Sequence, residues 1–338
     1  MVGGKVMSVW ICAEIGINHS GEMTDAMLLI EAAAAAGADA VKTQSFAVER
    51  LYALPEPPIC ETLRRCALSV HDHLYLKALV EGEGMEYLST PFDLESLRML
   101  VEEVKVKRLK IGSGCLTDHR LLRAAAETGL PLIVSCGMST RRQIDAAIYA
   151  LRGPSQATLL ECVSSYPAPP EETNLRWLPA MGAPWGLSHH GPGIGLPVAA
   201  VALGARVIEV HITTSRSNEG PDHAASMEPP EFRQMVTEIR RVEAAMGPGG
   251  KRVQPSEWPT IPRARKMLAT SRPVKQGEEW TEDNLTCLRA PGEWPPVGQS
   301  DWKCLGLEAD WYFDILGQTA QQDYGERVPL ARVEKEFP

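Results

Sequence analysis

Histidines, lysines, carboxylates and hydroxyls recur in this sequence where the surrounding residues otherwise read as buried strand. The stretch WGLSHHGPG (185–193) sets Ser188 and His190 two apart, and RVIEVHITT (206–214) does the same with Glu209 and His211. Alternate side chains on a strand share a face, so each pair points one way and His189 points the other. Adjacent histidines on a strand therefore cannot both serve one small site. If the two strands are parallel neighbours, His190 and His211 converge on one ion. Two imidazoles completed by substrate oxygens and water suit Mn²⁺ better than a closed structural zinc site, with Mg²⁺ or Co²⁺ as alternatives.

The lysines are the clearest departure from a buried strand. Lys42 lies in DAVKTQSF (39–46) and Lys110 in RLKIGSG (108–114). Lysine is rarely buried without a partner, so both call for an anion. That anion is either a bound ligand or a barrel carboxylate such as Glu14. Polar residues end the other apolar runs as well: Glu14 followed by Asn18 and His19, then Gln44, Thr90, Asp93, Ser113, Ser135, Ser164, Ser165 and Tyr166. Such hydroxyls suit phosphate or carboxylate oxygens, although any single serine reads equally well as a solvated strand end.

The elements that must position these residues follow a regular rhythm. Runs suited to buried strands occur at 9–16, 39–46, 86–92, 108–114, 131–137, 157–166, 184–189 and 206–214. Between them lie segments with apolar residues at helical spacing: 23–38, 70–84, 94–104, 118–129 and 140–153. The first of these is Ala-rich, carries Thr24 and Asp25 as a capping signal, and ends at Gly37. The connection at 171–182 is weaker. Eight strand–helix alternations over about 245 residues predict a (β/α)8 barrel, an α/β fold whose active site lies at the carboxyl ends of the strands. The expected domains are a barrel over 1–250, a Gly/Pro-rich linker over 251–266, and a small, mostly β module over 267–338.

Net charge is −9 and no Lys/Arg-rich block occurs, which argues against nucleic acid or an anionic membrane as the partner. No run reaches the ~18 apolar residues of a membrane span. The eight cysteines show neither a C-x-x-C pair nor a regular framework, so a reducing cytoplasm is expected.

Taken together, AEIGINHSG (13–21), ADAVKTQSF (38–46), STPFD (89–93), KIGSG (110–114), SCGMST (135–140), CVSSYPAP (162–169), the run 186–213 and GPDHAASMEPPEF (220–232) resemble the sialic acid synthases. Those enzymes condense phosphoenolpyruvate with an N-acylated amino sugar. The stretch 265–292 resembles their C-terminal antifreeze-like (SAF) module, so the resemblance covers nearly the whole chain. It implies a (β/α)8 barrel followed by that module, in a domain-swapped homodimer. By position it implies His190 and His211 as metal ligands, and Lys42, Gln44, Lys110, Ser113, Ser135, Ser164, Tyr166 and Ser188 as substrate-binding residues. Glu14, Glu209 and Asp222 fall where the family handles the acceptor and proton transfer, and Arg289 where an arginine reaches the acceptor's acyl group. Glu209 is the candidate base for the attacking water, with Glu14 and Asp222 positioning sugar hydroxyls.

The chain departs from the family pattern at Cys115, where a Glu is usual, at Ser164 for an Asn, and at His189 for an Asp. These changes are expected to alter the acceptor, and the change at 189 to alter how His190 is oriented. Two other readings fit the residues: condensation with a non-acylated aldose, or a catalytically silent sugar- or phosphate-binding barrel.

Overall fold

The computed structural model describes residues 8–54, 57–153, 155–177, 184–247 and 249–289, with 316, 319, 320 and 325. The chain divides into two units, Met1–Gly249 and Gly250–Pro338.

In the first unit, short runs of alternating character become strands wherever their apolar side chains can face a helix. These are β1 (Trp10–Gly16), β2 (Ala40–Ser45), β3 (Glu86–Pro91), β4 (Leu109–Ile111), β5 (Leu132–Ser135), β6 (Ala157–Cys162), β7 (Trp185–His189) and β8 (Val207–His211). Every pairing between them is parallel, in the order β3-β2-β1-β8-β7-β6-β5-β4, and β3 also lies against β4. That order is a sheet curled into an eight-stranded barrel.

Helices cover the outside: α1 (Met23–Ala36), α2 (Val48–Leu51), α3 (Ile59–Cys66), α4 (Val70–Gly82), α5 (Leu94–Met99), α6 (His119–Glu127), α7 (Arg141–Ala150), α8 (Gly195–Ala202) and α9 (Pro229–Met246). Ser69 with Asp72 and Thr140 with Gln143 form capping boxes for α4 and α7. The expected Thr24/Asp25 cap of α1 is not used. The helix starts one residue earlier, with Glu22 as N-cap and no side-chain capping bond, while Gly37 takes the left-handed cap as expected. Asp93, read as a strand-end polar group, accepts from the amides of Glu95 and Ser96 and pairs with Arg50, so its work is capping α5. The 94–104 helix changes to a π turn at Leu100–Val104. The weak 171–182 connection forms only short 3-10 turns among the described residues, and 178–183 lie outside them.

The interior of the barrel is layered. Cys12, Ala40, Leu88, Ile133, Leu160 and Val207 pack together as an apolar plug. Two residues further along the same strands, on the same face, stand Glu14, Lys42, Thr90, Ser135, Cys162 and Glu209. The larger apolar cluster fills the space between strands and helices. Gly186 occupies the plug level of β7, where an added Cβ would collide with the Val207 carbonyl and lie 2.7 Å from Leu160 Cδ2.

The second unit contains α10 (Ile261–Ala264), an antiparallel pair, β9 (Met267–Thr270) with β10 (Leu285–Leu288), and a buried Trp280. Most of the expected β module beyond Arg289 lies outside the described residues. Among those described, no helix is long and apolar enough to cross a membrane.

Gly186→Ala is expected to cost about 2 kcal/mol or more by overpacking. The check is the urea midpoint, which should fall with little change in slope. An unchanged midpoint would contradict the close approach of β7 and β8.

Candidate active site

Above the apolar plug, the two buried lysines meet two buried carboxylates. Lys42 Nζ lies 2.8 Å from Glu14 Oε2 and 3.7 Å from Glu209 Oε2, and donates to Thr90 Oγ1 at 2.9 Å. Lys110 Nζ lies 3.5 Å from Glu209 Oε1 and donates to Ser135 Oγ at 2.7 Å. Ser188 donates to Glu209 at 2.8 Å, and Gln44 to Glu14 at 3.3 Å. All four charged groups are at most 4% exposed. Of the two anions the sequence allowed for the lysines, the barrel carboxylates are therefore present in the fold itself.

The two carboxylates differ in environment. Burial raises the Glu14 carboxyl above its ordinary range, and neighbouring Glu209 adds to this, against the pull of Lys42. Burial disfavours ionisation of Glu209 as well, but Lys110, Lys42 and the Ser188 hydroxyl outweigh it and hold that group below the ordinary range. The Lys42 ammonium is desolvated too, yet Glu14 and Glu209 keep it charged. Two interacting acids pushed apart in this way take different protonation states near neutrality.

The imidazoles stand beside this cluster. His190 and His211 have ring centroids 5.3 Å apart, and the Tyr166 ring stacks on His190 at 4.3 Å. His190 Nδ1–H donates to the Val163 carbonyl at 2.8 Å, leaving Nε2 3.3 Å from both Tyr166 Oη and Ser188 Oγ. His211 Nδ1 is buried without a hydrogen-bond partner and lies 3.6 Å from Asp222 Oδ2. Burial raises Asp222 to about 6, against His190 and Lys42, while burial and His190 hold His211 neutral.

These features fit an open metal site. One imidazole has its far N–H fixed by a carbonyl, as ligand histidines usually do, and the other has an orphaned buried nitrogen. Among the described residues no three or more His, Cys, Asp or Glu side chains come together as a metal-holding group.

The remaining predicted residues divide. Ser113 Oγ accepts from the Gly137 amide at 3.0 Å, and a Cβ at Gly137 would lie 2.5 Å from Ser164 Oγ and 2.8 Å from Ser113 Oγ. Glycine at 137 is what lets those two hydroxyls converge. Ser164 also lines a cavity of about 750 Å³ shared with Glu161, Cys162, Asn174 and Trp177. Burial raises the Glu161 carboxyl there to about 7, against a hydrogen bond from Trp177. Arg289 is exposed on the second unit.

Of the three departures, Cys115 packs into the main hydrophobic core and His189 is buried on the opposite face of β7 from Ser188, with Nε2 unpartnered. His190 is oriented here by the Val163 carbonyl, which accepts from its Nδ1–H at 2.8 Å. Sequence reasoning missed that carbonyl, and it missed Cys162, whose Sγ lies 3.8 Å from His190 Nδ1. A backbone carbonyl carries no sequence signal, and a cysteine in LLEC reads as core.

Residues 29–251 match the model of the NeuB family. An uncharacterised protein of Methanocaldococcus jannaschii is 40% identical over 96% of this chain and 93% of its own length. An N,N'-diacetyllegionaminic acid synthase of Campylobacter jejuni is 36% identical over 94% of this chain and 97% of its own. Among solved structures, the sialic acid synthetase of Leptospira borgpetersenii, crystallised with citrate, is 33% identical and superposes with a TM-score of 0.69 over 77% of this chain and 94% of that one. A barrel with this mouth, this family match and these relatives over nearly its full length has one assignment: the chain belongs to the NeuB family.

Proposed function

We propose that the protein condenses phosphoenolpyruvate with the open-chain aldehyde of an N-acylated amino sugar, in a metal-dependent reaction giving a 2-keto-3-deoxy sugar acid and phosphate. The observation that carries this reading is the pair of ammonium groups, Lys42 and Lys110, buried at the barrel mouth among serine hydroxyls and beside two converging imidazoles. Phosphoenolpyruvate brings about three negative charges, and leaving water requires donors of this kind in its place. Lys42, Lys110, Ser113, Ser135, Ser164 and Ser188 are assigned to it, and Gln44, Tyr166, Asp222 and, across a dimer, Arg289 to the acceptor. Similarity to a diacetyllegionaminic acid synthase supports an acylated amino sugar other than N-acetylmannosamine as the acceptor.

In the reaction, C3 of the enol bonds to the aldehyde carbon, and water adds at C2. The tetrahedral intermediate then expels phosphate with cleavage of the C–O bond. His190 and His211, beside Asp222, would hold a divalent ion, manganese first, which when bound supplies Lewis-acid polarisation of the aldehyde oxygen. Glu209, held ionised between Lys110 and Lys42 and hydrogen-bonded by Ser188, is the base assigned to that water, and Glu14 and Asp222 position sugar hydroxyls.

Phosphate release should follow from phosphoenolpyruvate with N-acyl amino sugars and Mn²⁺, and stop with chelator. His211→Ala should lower that rate by about 10³-fold or more while leaving the thermal midpoint within a few degrees. Release that ignores chelator would refute the metal role. Faster turnover of non-acylated aldoses than of every acylated sugar tried would favour the non-acylated reading.

The Glu14 shift also fixes a sign. Its protonated form frees Lys42 for the substrate, so phosphoenolpyruvate should bind tighter at pH 6 than at pH 9, with proton uptake on binding above the ordinary carboxylate range. Calorimetry in buffers of different ionisation heat measures that uptake. Proton release, or affinity rising with pH, would contradict it.

A further inference from the structure

Behind β2 and β3, on the face opposite Lys42 and Thr90, lies a closed ring of polar side chains that the proposed chemistry does not use. Thr43 and Ser45 project from β2, Tyr87 and Ser89 from β3, and His73 comes from α4. The contacts are Thr43 Oγ1 to Tyr87 Oη at 2.7 Å, Tyr87 Oη to His73 Nδ1 at 2.7 Å, His73 Nε2 to Ser45 Oγ at 2.8 Å, Ser45 Oγ to Ser89 Oγ at 2.9 Å, and Thr43 Oγ1 to Ser89 Oγ at 3.2 Å. None of the five side chains is more than 1% exposed.

The protons can be counted. Four hydroxyls and one neutral imidazole supply one proton each, and the ring has one gap for each. Every group therefore donates once and accepts once, with nothing left unpaired. The bond from Thr43 to Ser89 sets the direction: Ser89 donates to Ser45, Ser45 to His73 Nε2, His73 Nδ1–H to Tyr87, and Tyr87 to Thr43. A second proton on His73 would find no gap. Burial holds its imidazole low, at about 4, with Asp72 acting against this and His19 with it.

Strand faces turned toward barrel helices are ordinarily apolar, as Val41 is on this same strand. A polar ring there gains little over packing, and any missing member leaves a buried group unpaired. What it adds is geometry, because a shift of one strand against the other breaks the cycle. The strand ends so held carry Lys42, Gln44 and Thr90 on the opposite face, paired across the strands as Lys42↔Leu88 and Gln44↔Thr90.

We propose that His73 is a positioning residue: through this ring it fixes the ends of β2 and β3 so that Lys42 and Thr90 present a preset pair of donors to the anionic substrate. The proposal rests on phosphoenolpyruvate being that substrate.

The test measures phosphoenolpyruvate binding and turnover in Tyr87→Phe, His73→Leu and His73→Gln, with ¹⁵N spectra of the histidines in the wild-type protein. Glutamine can donate and accept as the imidazole does; leucine cannot. The expected result is a KM for phosphoenolpyruvate raised about tenfold in Tyr87→Phe and His73→Leu, with kcat within about threefold, as for loss of uniform binding. His73→Gln should recover most of the affinity, and His73 should appear as the neutral Nδ1–H tautomer down to about pH 5. Should His73→Leu fail to fold, Tyr87→Phe carries the same comparison. Variants that melt earlier but bind the substrate as the wild type does would overturn the positioning role and leave the proposed function standing. A wild-type protein that binds no phosphoenolpyruvate would overturn both. A His73 that titrates near its ordinary value, or as the Nε2–H tautomer, would overturn the ring itself.

Discussion

Two ammonium groups and two carboxylates share a volume from which water is excluded, and the rest of the barrel is arranged around that fact. Each charge alone would be prohibitive at this depth, since desolvating an ion costs several kcal/mol even after relaxation. Together they are tolerated because Lys42 faces both Glu14 and Glu209, and Lys110 faces Glu209 and Ser135. Such a cluster is weak evidence of stability and stronger evidence of use. Its lysines are already desolvated and oriented before an anion arrives, so less reorganisation remains to be done on binding.

Several layers keep the cluster in place. The apolar plug below it fills the barrel and shuts off water from the amino ends of the strands. The capped helices outside bury the other strand faces. Beside the lysines, the Val163 carbonyl turns His190, and Ser188 ties its strand to Glu209. Loops after β6 and β8 contribute Tyr166 and Asp222, which bring an aromatic face and a carboxylate against the imidazoles. The chemistry thus stands on strand ends, where register sets position, and loops adjust its edge.

Much of this was legible in the sequence because a period of two carries both packing and chemistry. Glu209 with His211, and Ser188 with His190, announce an inward polar face at the end of an apolar strand. All eight strands form where such runs occur, to within a few residues. What escaped was of other kinds. The short helices α2 and α3, either side of a proline-containing stretch, were not anticipated. Thr24 and Asp25 resembled a cap, yet α1 starts at Met23, with Glu22 as N-cap and no side-chain capping bond. The division between Glu14 and Glu209 depends on which lysine approaches which oxygen, and spacing cannot express that. The ring around His73 joins three elements, each of whose polar residues looks unremarkable alone.

In the proposed reaction, Lys42 and Lys110 are held by Glu14 and Glu209 until an anionic substrate takes them over. A crystal structure with phosphoenolpyruvate and Mn²⁺ tests this most directly. Both ammonium nitrogens should then lie within hydrogen-bonding distance, about 2.7–3.2 Å, of substrate phosphate or carboxylate oxygens, with the Lys42–Glu14 contact lengthened. Substrate bound elsewhere, with both lysines still paired as they are in the free barrel, would contradict it.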